Sequence, residues 1–383
     1  MADPNTSEPA LNPNPEERAR EYELIHNRLF VVRILLTVII LSAYLFSGAS
    51  VYLADGLRTR FGAIWPLVNA FYTLITVFGF AAVMFPLSLY GEHVIEHRYG
   101  MSNQDLEGWF VDYLKSLAIE LGVATVFFGV IYAFLRYAPN LWWIWATAFY
   151  VLFVVVLAAV APVVIMPLFH KFEPIENPAL ADAVKSFVEK AGLRVVGVFQ
   201  WGLEEKTNAG NAALTGLGNT RRIILGDTII KDYSQDEIIA VLAHEIGHYK
   251  HRDMARLIAA GSLLAAGGFY LAHLFLQRLV AMFGFAGPDD IGSFPIFVFC
   301  LLVFSLVTMP VSNAYSRRRE YAADAYAVAS LGSSGALVSA LEKLAAQNLA
   351  DREPPAWIEF LLHSHPSISR RVRRAREMDP SPR

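Results

Sequence analysis

The chain has 383 residues, of which 55% are hydrophobic and only 17% charged, a balance too apolar for a water-soluble domain and one that marks a membrane protein. Its 32 basic and 35 acidic residues leave a net charge of −3, which offers no basic surface for nucleic acid. The lone Cys300 excludes an internal disulfide and a cysteine-built zinc site, and its place in the apolar run FVFCLLVF suits a small buried hydrophobe.

Residues 1–28 are polar and rich in Pro and Glu, and they read as a flexible arm that turns helical near Glu16. The arm lacks a basic start and a cleavage site, so it is not a signal peptide. Four apolar segments follow, at about 29–53, 66–90, 117–137 and 141–167, and two more lie at 257–276 and 294–312. Each is near the length that crosses about 30 Å of hydrocarbon. Trp142, Trp143 and Trp145 suit an aromatic belt at a membrane boundary. The fold expected is therefore mainly α: transmembrane helices 1–4 within 29–167, helices 5 and 6 within 257–312, and a catalytic segment at 168–256 between them.

That segment has soluble-domain character and predicts a small β-sheet. An amphipathic helix (ADAVKSFVEKAGL) precedes a strand at 195–201, a Gly/Asn-rich stretch at 206–219 and a second strand at 222–227. The loops on the opposite side of six spans hold only Arg58, Arg60 and Arg136, while 313–383 forms a basic tail. The positive-inside rule then puts both termini and the catalytic segment in the cytoplasm.

Chemistry concentrates in Ser234–Asp253. His244-Glu245-Ile246-Gly247-His248 is an H-E-x-x-H pattern, and four residues is just over one helical turn, so both imidazoles share a face. Two neutral imidazoles so spaced hold one Zn²⁺ per chain, with Glu245 beside them as general base. Ser234 and Glu237 form a capping box that starts this helix, which is placed so that it could run straight into the fifth span. A catalytic zinc needs a third protein ligand, and Glu320 supplies it in SRRREYAADAYA. Asp324, one turn on, would accept a hydrogen bond from a ligand imidazole and fix its tautomer. The plain alternative is an acidic pair countering the arginines before it.

Asn211 and Ala212 open a segment that suits a sheet edge for an extended peptide, although a Gly/Asn turn between two strands is the simpler reading. His363 and His365 stand in a basic stretch where a histidine and an arginine could steady an oxyanion, or where a basic helix could meet anionic lipid. His93-Val94-Ile95-Glu96-His97 is a rival, inverted zincin pattern, with Glu173 or Glu176 as an unmarked third ligand. It lacks a cap and a following E-x-x-x-D helix.

Assembled, the stretches EHVIEHRYGMSNQDLEGWF, PLFHKFEPIEN, NAALTGLGNTRRIILGDTII, HEIGHYKHRD, SRRREYAADAYA and HPSISRR resemble the type I CAAX prenyl proteases, integral-membrane gluzincins. The resemblance runs from about Pro66 to Arg376. It implies that His244, His248 and Glu320 bind zinc and that Glu245 is the general base. It further implies that Asn211 lies on a substrate-binding edge strand, that His365 and Arg371 contact substrate or transition state, and that the HVIEH stretch is not a zinc site. Such enzymes enclose a water-filled chamber and remove the last three residues of prenylated cysteine proteins. Two departures stand out: six spans instead of the seven of eukaryotic members, and no long insert between the last spans. Two other functions fit parts of the pattern. One is an HtpX-type quality-control metalloprotease, which has fewer spans and no HVIEHRYG-like stretch; the other is a zinc-dependent membrane scaffold or transporter.

Overall fold

The computed structural model describes residues 11–62, 64–216 and 221–379. The Asn14 side chain accepts the Glu16 N–H and starts helix α1 (Pro15–Phe46), which continues without a break through the first span. The helix begins where the sequence turns helical, near Glu16, and the structure corrects the extent of the flexible arm: residues 15–28 belong to that helix. Ala19 and Ile25 pack with Leu11 against Ile95, Tyr99, Met101 and Leu349, which supplies the apolar burial an arm lacks. The start of the arm, residues 1–10, lies outside the described residues.

After Gly48 comes α2 (Ala49–Phe61), then α3 (Trp65–Leu89), which passes through a π-helical turn (Tyr90–Ile95) into the short α4 (Glu96–Arg98). Next are α5 (Leu106–Tyr137) and α6 (Trp142–Val160). Six helical runs are long and apolar enough to cross a membrane: 15–46, 65–98, 106–137, 142–168, 253–282 and 291–331. These helices leave large apolar side chains exposed. Leu263 is 76% exposed, Val307 70% and Phe78 56%, apolar surface of the kind that lipid covers. Between the helices, Tyr72, Tyr132, Trp142 and Phe297 are buried in one aromatic-rich core, and Cys300 packs against it.

The second layer is built on four strands, β1 (Phe172–Pro174), β2 (Val198–Trp201), β3 (Ala212–Thr215) and β4 (Arg222–Gly226), in the order β1-β2-β4-β3. β2 runs parallel to β4, and β1 and β3 are antiparallel to their neighbours. The Asn/Gly-rich stretch thus contains an edge strand. Its end, residues 217–219, lies outside the described residues. Helix α7 (Pro178–Lys190) and α8 (Asp227–Asp232) flank the sheet. Val184, Ile223, Leu225, Ile238 and Leu242 fuse it to α9 (Gln235–Lys250) in a common core. At about 1.5–3 kcal/mol for each such side chain, this burial holds the metal-site helix on the sheet.

α9 does not run into the fifth span. The chain turns at Arg252, held at φ 54°, and starts again as α10 (Asp253–Met282). The sixth span is longer than expected: α11 (Phe294–Leu331) carries both the apolar run and the Glu320/Asp324 pair in one helix of 38 residues. Helices α12 (Gly335–Gln347), α13 (Ala356–Leu362) and α14 (Ile368–Glu377) close the described chain.

Candidate metal centre

The capping box of α9 is formed: Ser234 Oγ accepts the Glu237 N–H, and the Glu237 carboxylate accepts the Ser234 N–H at 2.7 Å. Glu237 also accepts from Ser339 Oγ at 2.6 Å and from Lys343 Nζ at 2.7 Å, so the helix start is tied to α12. Burial alone would raise the Glu237 pKa, but Lys343, Ser339 and Ser234 overcome it and hold the carboxyl down at about 2.

One turn apart, His244 and His248 face α11. Gly247 between them permits the approach: a Cβ there would stand 2.9 Å from Ala323 Cα and 3.0 Å from Ala323 O. The contact brings Glu320 over the histidines. His244 Nε2 lies 3.4 Å from Glu320 Oε2, His248 Nε2 lies 3.3 Å from Oε1, and the two Nε2 atoms are 3.1 Å apart. Among the described residues, these three side chains are the one group whose donor atoms converge, all within 4.8 Å of one another.

The donor set fits a divalent metal. Both Nδ1 atoms are engaged away from the centre: His244 Nδ1–H donates to Asp324 Oδ1 at 2.8 Å, and His248 Nδ1–H donates to Asp253 Oδ2 at 2.9 Å. Each ring therefore turns an Nε2 lone pair inward, the tautomer a ligand needs. Glu320 Oε2 is buried without a hydrogen-bond donor. A buried carboxylate oxygen left so is costly unless a cation takes it. Without a cation, protons take that place. Burial opposes charge on His244, but Asp324 and Glu320 outweigh it and push the imidazole up to about 9. His248 is raised by Glu320 and Asp253 against the same burial. Glu245 is raised by burial, against the pull of the two histidines, as suits a proton acceptor working near neutrality.

Glu245, Asn211, Ala212, His365 and Arg371 all line one cavity of about 340 Å³ with His244 and Glu320. The two tail residues differ in placement. His365 Nε2 stands 3.4 Å from Glu320 Oε1 on an exposed side chain. Arg371 is buried behind the ligands, donating Nε–H to Asp324 Oδ2 at 2.8 Å and a terminal N–H to Oδ1 at 2.7 Å. Its fork is engaged with Asp324, and its other nitrogen lies 3.6 Å from Glu320 Oε2.

One residue of this centre belongs to no pattern read from the sequence. Asp253, 2% exposed, braces His248 and accepts Arg319 Nε–H at 2.6 Å. Its position five residues after His248 in HEIGHYKHRD is the signal that could have found it. The rival motif does not assemble. Glu96 accepts the Tyr22 hydroxyl at 2.8 Å and sits 3.1 Å from His26 Nε2, while His97 Nδ1–H donates to the His93 carbonyl. The π-helical turn sends Glu96 toward α1, and no third donor joins His93 and His97 among the described residues.

A bundle of membrane helices whose H-E-x-x-H helix is completed by a glutamate from a second, spanning helix defines an integral-membrane metalloprotease. Residues 174–379 match the family model of peptidase family M48, and residues 3–171 match that of the CAAX prenyl protease N-terminal region with five membrane helices. The chain belongs to peptidase family M48. In the N-terminal match this chain has four helices of spanning length and the 13-residue α2. "CAAX prenyl protease 1" of Saccharomyces cerevisiae is 30% identical over 75% of this chain and 67% of its own length. "Uncharacterized metalloprotease YhfN" of Bacillus subtilis is 28% identical over 98% of this chain and 89% of its own. The crystal structure of S. mikatae Ste24p shares the fold, with a TM-score of 0.83 at 24% identity over 97% of this chain and 92% of that one. The match through the N-terminal membrane helices leaves the HtpX-type alternative unsupported, and membership of a peptidase family answers the scaffold or transporter.

Proposed function

We propose that this metalloprotease holds one Zn²⁺ on the cytoplasmic side of its membrane and cuts peptide bonds near the C-terminus of prenylated or membrane-associated proteins. The observation that carries the reading is the convergence of His244, His248 and Glu320 beside a cavity that His244 and Glu320 line and that also touches the edge strand β3. Two imidazoles and a carboxylate suit zinc among the divalent metals. Bound there, zinc would supply a Lewis acid that polarises the scissile carbonyl and makes water acidic enough to attack near pH 7.

The chain's own residues do the rest. The substrate lies extended against Ala212, paired through its main chain, with Asn211 at the start of that edge. Glu245 takes the proton of the attacking water and returns it to the leaving amine. His365, open to the cavity, donates to the developing oxyanion. Asp324, itself gripped by Arg371, and Asp253 hold the two imidazoles in their ligand tautomers. Arg371 serves the transition state through that grip and through its approach to Glu320. The excess of basic residues on the side of the catalytic segment supports the cytoplasmic orientation. Relatives named as CAAX prenyl proteases support a prenylated substrate.

The test compares a farnesylated CAAX peptide with its unprenylated twin, using the full chain in lipid. The farnesylated peptide is cleaved faster; equal rates would remove the prenyl group from the proposal. Glu245→Gln retains metal and loses hydrolysis, whereas His248→Ala loses both. A fully active Glu245→Gln protein would rule out the assigned base.

A further inference from the structure

β3 is the last strand of its sheet, and the pairing on its inner side fixes which of its groups face outward. The Gly226 N–H donates to the Asn211 carbonyl at 2.8 Å, and Ala213 and Thr215 stand opposite Ile224 and Arg222. In an antiparallel ladder the inward and outward groups alternate. Asn211, Ala213 and Thr215 therefore spend their main-chain groups on β4, while Ala212 and Leu214 turn theirs to the open edge. Extended back one step, the same alternation turns Gly210 outward.

Gly210 is not open. Its N–H donates to Asn348 Oδ1 at 2.8 Å, and its carbonyl accepts Asn348 Nδ2–H at 3.2 Å. The side-chain amide thus occupies both groups of that position, as a neighbouring strand would. A Cβ at Gly210 would overlap the Gln347 side chain, which would have to shift to keep this approach. Asn348 caps the C-terminal end of α12, which Glu237 ties to the metal helix through Ser339 and Lys343. The amide's position relative to the metal centre is set by that tie. Asn348 also lines both the metal cavity and a neighbouring cavity of about 460 Å³ beyond His365.

We propose that Asn348 is a register stop: it closes the substrate-binding edge at Gly210, leaves Ala212 and Leu214 for pairing, and so fixes which peptide bond lies over the metal. This rests on the edge-strand reading of the site. Main-chain pairing by itself does not define a peptide's position along a strand, because it repeats every two residues with the same face inward. A slip of two residues, roughly 7 Å, satisfies the pairing equally well and presents a different bond. Asn348 is a positioning residue; it acts through the strand.

The experiment uses full-length wild type, Asn348→Ala and Asn348→Asp in lipid nanodiscs, with metal per chain measured for each. Products from a farnesylated CAAX peptide are read by mass spectrometry, alongside peptides N-methylated at successive backbone positions. Wild type cuts one bond, and N-methylation blocks it at positions of one parity. Asn348→Ala keeps its metal, loses about tenfold in kcat/KM at that bond with two hydrogen bonds gone, and releases products displaced by two residues, with the blocking positions displaced likewise. Asn348→Asp keeps an acceptor for the Gly210 N–H and falls between; it carries the test should alanine deprive the protein of metal. An unchanged bond with an unchanged N-methyl pattern in the metal-loaded variants overturns the stop alone. Wild-type cleavage insensitive to N-methylation at every position overturns the edge-strand reading, and the stop with it.

Discussion

Gly247→Ala tests whether the metal centre depends on how closely two helices cross. The added Cβ would lie 2.9 Å from Ala323 Cα, 3.0 Å from Ala323 O and 3.2 Å from Tyr326 Cβ. Non-bonded carbon atoms settle at about 3.5–4.0 Å, so the helices must part by roughly 0.6 Å or more. Two of the atoms met are backbone, which no rotamer change can move. Glu320 lies on α11 one turn from Ala323 and shifts with it, whereas ligand distances tolerate only about 0.2 Å. Metal affinity should fall on the order of 10- to 100-fold, the range seen when ligands lose their supports. Stability is the poorer readout. Alanine gains up to about 1 kcal/mol of helix propensity over glycine, which offsets part of the 1–3 kcal/mol typical of overpacking. The assay is therefore chelator competition: metal retained per chain against graded free-metal concentrations, with peptide hydrolysis in parallel. Gly261→Ala, where a Cβ meets nothing within 4 Å, is the control and should behave as wild type. Wild-type metal affinity in Gly247→Ala would refute the reasoning.

Asp253→Ala should weaken metal binding about 10- to 100-fold by freeing the His248 ring, with Asp253→Glu recovering part of it; equal affinity in all three proteins would show that Asp253 only packs. Glu237 predicts an acid limb of stability. Its folded pKa, about 2, lies below the ordinary 4.5, so its contribution is complete above pH 4.5 and drains away as pH falls toward 2. The shift sets that contribution at about 3 kcal/mol at most. Thermal melts of Glu237→Gln should thus be less stable than wild type near neutrality and converge with it in acid; parallel curves would count against the tie to α12.

Much of the centre was legible because its parts are local. The capping box, the H-E-x-x-H turn and the Glu320/Asp324 pair are each set by helical spacing, and the spans by hydropathy. What stayed hidden depends on tertiary placement. Asp253 reaches His248 because the chain reverses at Arg252, a left-handed residue that no periodicity announces. Asn348 meets Gly210 across 138 residues. The HVIEH stretch matched a zincin pattern as well as the true motif did. Context in the sequence, a missing cap and no E-x-x-x-D helix following, set it apart, and the structure adds the π-helical turn and the pull of Tyr22 and His26 on Glu96. The helical turn expected near Glu16 is present, but composition did not show that it continues unbroken into the first span, with Ala19 and Ile25 packed against partners.

The unbroken course of α11 bears on how the enzyme can be handled. One donor of the metal centre stands on the same unbroken helix as the sixth span, while the other two stand ahead of the fifth span. Excising the water-facing portion between the fourth and fifth spans would leave two imidazoles and no carboxylate. Detergents that strip lipid from the sixth helix act on a ligand's own support, so the choice of solubilising agent belongs among the variables of any metal measurement.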